Sequence, residues 1–454
     1  MQVKERNTWE ILREHLEQGD TAALNDYLAD LSGEESLRAL MRLDHDEQQQ
    51  ILAKLTPESA AEVFEFIPDE SAGELLGELS PEVAASIISE MPSDEQADVL
   101  SELDDEELEE VLSHMDEHDV VEARQLMAYD DDVAGGLMMK EFFSYPRMYR
   151  ASSVLKDLAG REEEYELNHV LYIYVTGRGG ELLGVARIRD IIVAAPQARL
   201  ADILHPAVSV KDTAQLDELE DFFDENNLSA IPVVDEKNRI LGVVRRRSVY
   251  DAVAERADAD HLKSQGIVGG EELRSMPTIV RSRRRLSWLS VNVVLNIIAA
   301  SVIAQFQDTL SAVIILAVFL PIISDMSGCS GNQAVAVSMR ELSLGIIKKA
   351  DLFYVWRKEV VIGIVNGAAL GLLIAIIAWT WQGNGWLGLV VGMALAINTV
   401  LAVSIGGTVP VVLKSLGIDP AVASGPILTT ITDMCGFFLL LGTASLMLPL
   451  LTGI

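Results

Sequence analysis

GPILTTITDMCGFFLLLGTASLMLPLLTGI, residues 425–454, is long and apolar enough to cross a bilayer, and Asp433 is its only charge. About 20 apolar residues suffice to span the roughly 30 Å hydrocarbon core. A carboxylate at that depth costs several kcal/mol, on the order of 3, unless it is paired or wetted, so it ordinarily marks an ion or proton path. The plainer alternative is an Asp that only hydrogen-bonds a neighbouring helix. The stretch points to a transport protein.

Working outward, four more apolar segments precede it, so the expected spans are 286–307, 310–339, 360–381, 386–413 and 425–451. Basic residues sort to one side of them. Arg281, Arg283, Arg284 and Arg285 precede the first span; Arg340, Lys348, Lys349, Arg357 and Lys358 lie between the second and third; Lys414 follows the fourth. The opposite connections carry no Lys or Arg. Such asymmetry predicts an inner, cytoplasmic membrane protein with its N-terminus in the cytoplasm and its C-terminus outside. Five helices make a small bundle. A wet path is easier to build between two copies, which predicts a homodimer in the lipid bilayer with the path near the two-fold axis.

The second span reads FLPIISDMSGCSGNQAVAV, with Pro321, Asp325, Gly328, Gly331, Asn332 and Gln333. Pro and Gly loosen a helix and can free carbonyls, which a membrane tolerates only in packed protein or beside water. Gly425-Pro426 suggests a second break, and Thr429, Thr430 and Thr432 add hydroxyls beside Asp433. Carboxylate, amide and hydroxyl oxygens are hard ligands that suit Mg²⁺ or Ca²⁺. Asp433, Asp325 and Asn332 are therefore candidate metal ligands. Mg²⁺ gives up water reluctantly, so its path should hold a hydrated ion through carboxylates and bridging waters. Cys329 beside this run would soften the site toward transition metals.

Of the net charge of −34, residues 1–136 carry −31, from 38 acidic and 7 basic residues. So acidic a surface excludes nucleic acid as a partner and concentrates cations. Met1–Asp20 is polar, so no cleaved export signal is expected. Cys329 and Cys435 both lie in apolar segments and imply no disulfide framework.

Within residues 1–136, breaks recur at Thr56-Pro57, Ile67-Pro68, Ser80-Pro81, Met91-Pro92 and Leu103-Asp104. Each places Ser, Thr, Asp or Pro before Glu and an apolar stripe, which is helix-start chemistry. The regular run predicts a small helical solenoid. His114 and His118, at i and i+4, have the spacing of a metal pinch but no third ligand. Residues 138–254 contain two similar halves, VLYIYVTGRGGELLGVARIRDII and AIPVVDEKNRILGVVRRRSVYDAV, each reading strand, turn, strand, helix. The duplication resembles a tandem CBS pair, a module that often binds nucleotides. The resemblance implies an ATP-type site at the first half through Tyr172, Arg189 and Asp190. The second half has Arg245 and Ser248 where the nucleotide pattern has other residues.

Acidic helical array (1–136), tandem CBS pair (137–252), connecting helix (253–285) and five spans (286–454): this order resembles the MgtE family of magnesium channels over the whole chain. Pro321 with Gly331-Asn332-Gln333, then Gly417, Asp419 and Pro420, then Asp433 carry the resemblance, with Ala134-Gly135-Gly136-Leu137-Met138 adding to it. The fold class it implies is a multidomain membrane protein: an all-α N-terminal solenoid, an α/β CBS pair, a connecting helix and a five-helix transmembrane bundle. The function it implies is a homodimeric, Mg²⁺-selective channel whose pore carboxylate matches Asp433, with Asp419 a further metal candidate. A connecting "plug" helix, here about 253–283, closes the pore when intracellular Mg²⁺ bridges acidic cytoplasmic surfaces.

Two departures qualify that expectation. Acidic positions after the second CBS half are replaced: Ser248 and Arg256 are present, with Arg245, Arg246 and Arg247 just upstream, while Asp251 and Asp260 remain as metal candidates. Basic residues beside the −31 domain would hold the closed contact as salt bridges and weaken Mg²⁺ gating. In the pore, Ser327-Gly328-Cys329 and Gly425 stand where the family has other residues. Transport of another divalent metal such as Co²⁺ or Mn²⁺, and a membrane-anchored CBS sensor, are the alternatives. No Walker loop, nucleophile elbow or His/Cys cluster supports an enzyme.

Overall fold

In the computed structural model, residues 7–161, 171–269, 272–274 and 276–452 are described. The chain forms two compact units, Met1–Arg256 with Leu273–Pro277, and Ala257–Glu272 with Thr278–Ile454.

The first unit begins with ten short helices among the described residues, from α1 (Thr8–Gln18) to α10 (Glu117–Leu126). Helices start at Pro57, Asp69, Pro81, Ser93 and Asp105, where local chemistry predicts them. Thr56 accepts from the Ser59 backbone N–H, and Asp104 accepts from those of Glu106 and Glu107, satisfying donors that the first turn leaves free. Pro at the first helical position costs nothing, because its missing N–H had no partner there. One face of each helix enters a shared core of Leu12, Ile51, Leu76, Ile88 and Leu100. Fully burying each such side chain stabilises the array by about 2 kcal/mol.

Two small sheets follow. In the first, β2 (Ser144–Pro146) runs parallel to β3 (Tyr172–Thr176), which pairs antiparallel with β4 (Leu182–Arg187). In the second, β5 (Val210–Lys211) runs parallel to β6 (Ala230–Val234), which pairs antiparallel with β7 (Ile240–Arg245). Each hairpin has a register shift at the same place, Val175/Thr176 and Val233/Val234. The duplicated sequence is thus a duplicated structure. The strand β1 (Met138–Met139) pairs with β7 of the second half, stitching the end of the helical array to it. Helices α11 (Ala151–Leu158), α12 (Ile188–Val193), α13 (Leu200–Ile203) and α14 (Leu216–Glu225) pack around these sheets.

The helix α15 runs Arg246–Ser264 and ends at Gly266, whose φ of +83° favours glycine. Helix resumes at Thr278, so the connecting stretch is not the one helix over about 253–283 that the family resemblance implies.

The second unit holds α16 (Thr278–Ala304), α17 (Gln307–Ala312), α18 (Leu316–Ser343), α19 (Leu352–Gln382), α20 (Gly385–Ser415), α21 (Pro420–Leu446) and α22 (Leu448–Thr452). Among the described residues four helical stretches are long and apolar enough to cross a membrane: Thr278–Ala304, Lys349–Gln382, Gly385–Ser415 and Gly425–Leu446. The 28 residues of α18 cover about 42 Å, enough to span, but its Ser, Asp, Asn and Gln lower its apolarity. Neither expected break interrupts a helix. α18 continues through Pro321 and α21 through Pro426; the discontinuity in span two falls earlier, at residues 313–315. Packing explains the continuity: Phe319, Leu320 and Ile323 are buried on both sides of Pro321. Helices α19 and α20 approach closely through Gly363, Gly367 and Gly371. A Cβ at Gly367 would lie 2.5 Å from the Ala396 carbonyl oxygen.

Candidate functional site

Asp433 sits on α21, 7% exposed, and the Ser324 hydroxyl of α18 donates a hydrogen bond to its Oδ1. Among the described residues no cationic side chain pairs with it. A neutral hydroxyl offsets only part of the cost of burying the charge, so the carboxylate keeps its affinity for a cation. Around this pair, Asn398 of α20 donates to the Thr432 carbonyl (3.0 Å) and to Ser327 Oγ (2.6 Å). Sequence reading missed Ser324 and Asn398. An Asn centred in the apolar run of α20 carries the same signal as Asp433, weaker for want of charge.

Asp325 and Asn332 lie on the same helix as Ser324 but on its exposed side. With Cys329, also exposed, they fall at i, i+4 and i+7 and form one stripe. This stripe is open to the surroundings of the chain, not turned to its interior. Asp419 is elsewhere. It caps α21, its Oδ1 accepting from the Ala421 backbone N–H at 2.8 Å, with Lys263 Nζ 3.9 Å from Oδ2. Fourteen residues of helix put it about 21 Å from Asp433, which takes it out of that cluster. Among the described residues no three His, Cys, Asp or Glu gather to hold a metal. His114 and His118 face carboxylates, Glu82 for one and Asp119 and Glu122 for the other, and not a shared ion.

Buried charge accumulates differently in the first unit. Burial pushes Asp69 up to about 7, Glu95 up to about 8 and Asp98 up to about 9, and neighbouring carboxylates push the same way. Arg245 of β7 meets this surface: its Nη2 is 3.1 Å from Asp94 Oδ2 and 3.8 Å from Glu95 Oε1. Arg247 reaches Glu65 at 2.8 Å and Asp251 at 3.3 Å. Two of the expected basic residues therefore do bridge to the acidic helices. Arg256 and Arg246 do not. Arg256 pairs with Asp217 of α14 at 2.6 Å, and Arg246 donates to the Leu228 and Asn226 carbonyls. Asp251 is held by Arg247; Asp260 lies nine residues further along α15.

A cavity of about 550 Å³ opens between the CBS halves, lined by Tyr172, Tyr174, Phe142, Tyr250 and Arg245–Arg247 among others. Tyr172 is where sequence reading put it. Arg189 and Asp190 are not in that lining: Asp190 accepts from His205 at 2.9 Å, and Arg189 lies beside it. The predicted trio is not brought together at this cavity.

Comparison with known proteins bears on the helical array, the CBS region and the membrane helices. The family described as a divalent cation transporter, MgtE, matches residues 320–443; the MgtE intracellular N domain matches residues 31–132; a CBS domain matches residues 200–255. The magnesium transporter MgtE of Bacillus subtilis is 32% identical over 322 residues, covering 70% of each chain. That of Thermus thermophilus is 30% identical over 336 residues, covering 72% of each. Among solved structures, the cytosolic domain of the Mg²⁺ channel MgtE in complex with ATP aligns with a TM-score of 0.51 and 30% identity, covering 54% of this chain and 99% of that one. The soluble part of a magnesium transporter aligns with the same TM-score at 26% identity, covering 55% of this chain and 98% of that one. On its helical array, its CBS pair and its membrane helices alike, this chain belongs to the MgtE family of magnesium transporters.

Proposed function

We propose that the chain moves Mg²⁺ across the cytoplasmic membrane as a homodimer, with Asp433 of each copy at the path and the cytoplasmic domains regulating it. The observation that carries the reading is Asp433 itself: a buried carboxylate on a membrane helix, met by the Ser324 hydroxyl and, among the described residues, by no cation. Two copies across a two-fold would present two such carboxylates to a hydrated ion, which suits Mg²⁺. The Asp325–Cys329–Asn332 stripe supports the same arrangement. Polar side chains on the outside of a membrane helix avoid lipid by facing a second copy or a wet path. Asp325 and Asn332 then contribute oxygens beside Asp433, and Asp419 serves α21 as its cap. The domains run 1–136, 137–252, 253–285 and 286–454, with the N-terminus cytoplasmic.

Gating by intracellular Mg²⁺ is weaker than a purely acidic interface would give. Arg245 and Arg247 supply positive charge where a divalent cation would otherwise hold facing carboxylates, Asp251 included. A nucleotide such as ATP would take the CBS cavity through stacking on Tyr172 and contact with its arginines. The deciding experiment is Mg²⁺ uptake into proteoliposomes by the wild type and Asp433→Asn, with Ca²⁺ and Co²⁺ as competitors. Uptake lost in the variant, and Ca²⁺-resistant in the wild type, carries the reading. Uptake unchanged by the substitution transfers it to another substrate or to a sensor.

A further inference from the structure

Asn398 is completely buried at the middle of α20, and its amide touches both helices that meet at Asp433. Its Nδ2 donates to the carbonyl of Thr432, the residue before Asp433 on α21. The same nitrogen donates to Ser327 Oγ on α18, one turn from Ser324, which in turn donates to Asp433. The partner fixes the amide's orientation: a backbone carbonyl only accepts, so the atom facing Thr432 is the NH₂ group. Gly436, one turn beyond Thr432, makes room for it. A Cβ there would lie 2.7 Å from Nδ2. Asn398 Oδ1 finds no donor among the described residues. A residue retained only to fill space would do better without that orphan acceptor, since an apolar side chain leaves nothing unsatisfied.

We propose that Asn398 is a positioning residue for cation binding: by tying the Thr432 carbonyl to Ser327, it fixes the spacing of α18 and α21 and so the orientation of the Asp433 carboxylate against Ser324. The two ties, Asn398 to the backbone and Ser324 to the carboxylate, lie one residue apart on α21 and one turn apart on α18. Loss of the first lets the carboxylate swing on the second. A hydrated Mg²⁺ needs near-ideal octahedral geometry and is more sensitive to that motion than Ca²⁺, whose coordination is flexible. This inference rests on Asp433 being the ion-binding carboxylate.

The test is Mg²⁺ uptake by full-length protein in proteoliposomes, for Asn398→Ala, Ser327→Ala, the double variant and Asp433→Asn. Apparent KM for Mg²⁺, inhibition by Ca²⁺ and melting temperature are read on each. Asn398→Ala is expected to raise KM about tenfold and to let Ca²⁺ compete, with Ser327→Ala smaller. The double variant should be no worse than Asn398→Ala, because the two share one bond. Changes in melting temperature alone, with KM and Ca²⁺ inhibition held, would overturn the proposal, since a purely structural amide moves only stability. If Asn398→Ala does not fold, Ser327→Ala decides: a raised KM supports the tie and an unchanged one refutes it. Loss of uptake in Asp433→Asn with Asn398→Ala unaltered removes this proposal alone. Unchanged uptake in Asp433→Asn removes the ion-site reading and the proposal with it.

Discussion

Asp433 in the membrane unit is buried and the Asp69, Glu95 and Asp98 carboxylates in the first unit are half-buried, yet their surroundings are opposite. Asp433 has a hydroxyl and, among the described residues, no countercharge. The group in the first unit is crowded by like charges, and Glu95 lies within reach of Arg245 and in the field of Arg247. A lone carboxylate with a neutral donor attracts a cation without holding one permanently, as passage requires. A crowd of carboxylates changes its energy with protons, arginines or divalent ions, as a regulated contact requires. The chemical group is shared; the countercharge decides the task.

The sharpest break of that contrast is Asp433→Asn, which removes charge with little change of shape. We expect Mg²⁺ uptake to fall by about a thousandfold, the equivalent of about 4 kcal/mol. Residual uptake at half the wild-type rate in proteoliposomes would put the two carboxylate sites on an equal footing and end the comparison.

Arg245→Ala tests the other side. Asp94 is 5% exposed, and removing its arginine leaves a buried charge uncompensated at a cost of about 3 kcal/mol to the docked helical array. Tryptic cleavage in residues 253–277 should then become Mg²⁺-dependent, whereas the wild type should show little dependence. Strong Mg²⁺ protection of the wild type would refute the salt-bridge account. pH sharpens the same point. The folded values of Asp69, Glu95 and Asp98 lie above the ordinary carboxylate range, so their stabilising contribution is fully present below about pH 4 and is lost as pH rises through about 7 to 9. Hydrogen-exchange protection factors in residues 69–98 of the whole protein, taken relative to the intrinsic rate at each pH, should fall from pH 6 to pH 9, and millimolar Mg²⁺ should raise them again in Arg245→Ala.

How far the sequence reaches follows the range of the interaction. Helix starts at Pro57, Pro81 and Asp105 depend on the next three residues and were legible. Asp433 was legible because one charge in an apolar run needs no partner to be noticed. Its partner was not, because Ser324 is 109 residues away and the helix face it occupies depends on packing. The end of α15 was within reach: Lys263, Gln265 and Gly266 form an ordinary helix stop, overridden by the expectation of one long connector. The helices through Pro321 and Pro426 show the reverse. Local chemistry argued for breaks, and packing on both sides of the proline overrode it. Ser324→Ala measures how much the long-range part matters. It should raise the apparent KM about tenfold to a hundredfold, as expected for losing one hydrogen bond to a charged group. No change would leave the hydroxyl a bystander.

The smallest expected effect separates two carboxylates on one helix. Asp419 and Asp433 both belong to α21, and both look like metal candidates in a sequence, but Asp419 spends its Oδ1 on the Ala421 N–H. A cap needs an acceptor and not a charge, so Asn or Ser serves nearly as well and Ala costs about 1 kcal/mol of stability. Asp419→Asn should therefore transport Mg²⁺ with the wild-type KM, and Asp419→Ala should lower the melting temperature by a few degrees without altering the ratio of Mg²⁺ to Ca²⁺ uptake. The ion pair with Lys263 at 3.9 Å is exposed and long, and contributes little to either result. A large rise in KM for Asp419→Asn would mean that charge, not capping, is what the position supplies. The comparison drawn between the cap and the middle of α21 would then have to be redrawn as two ion sites on one helix.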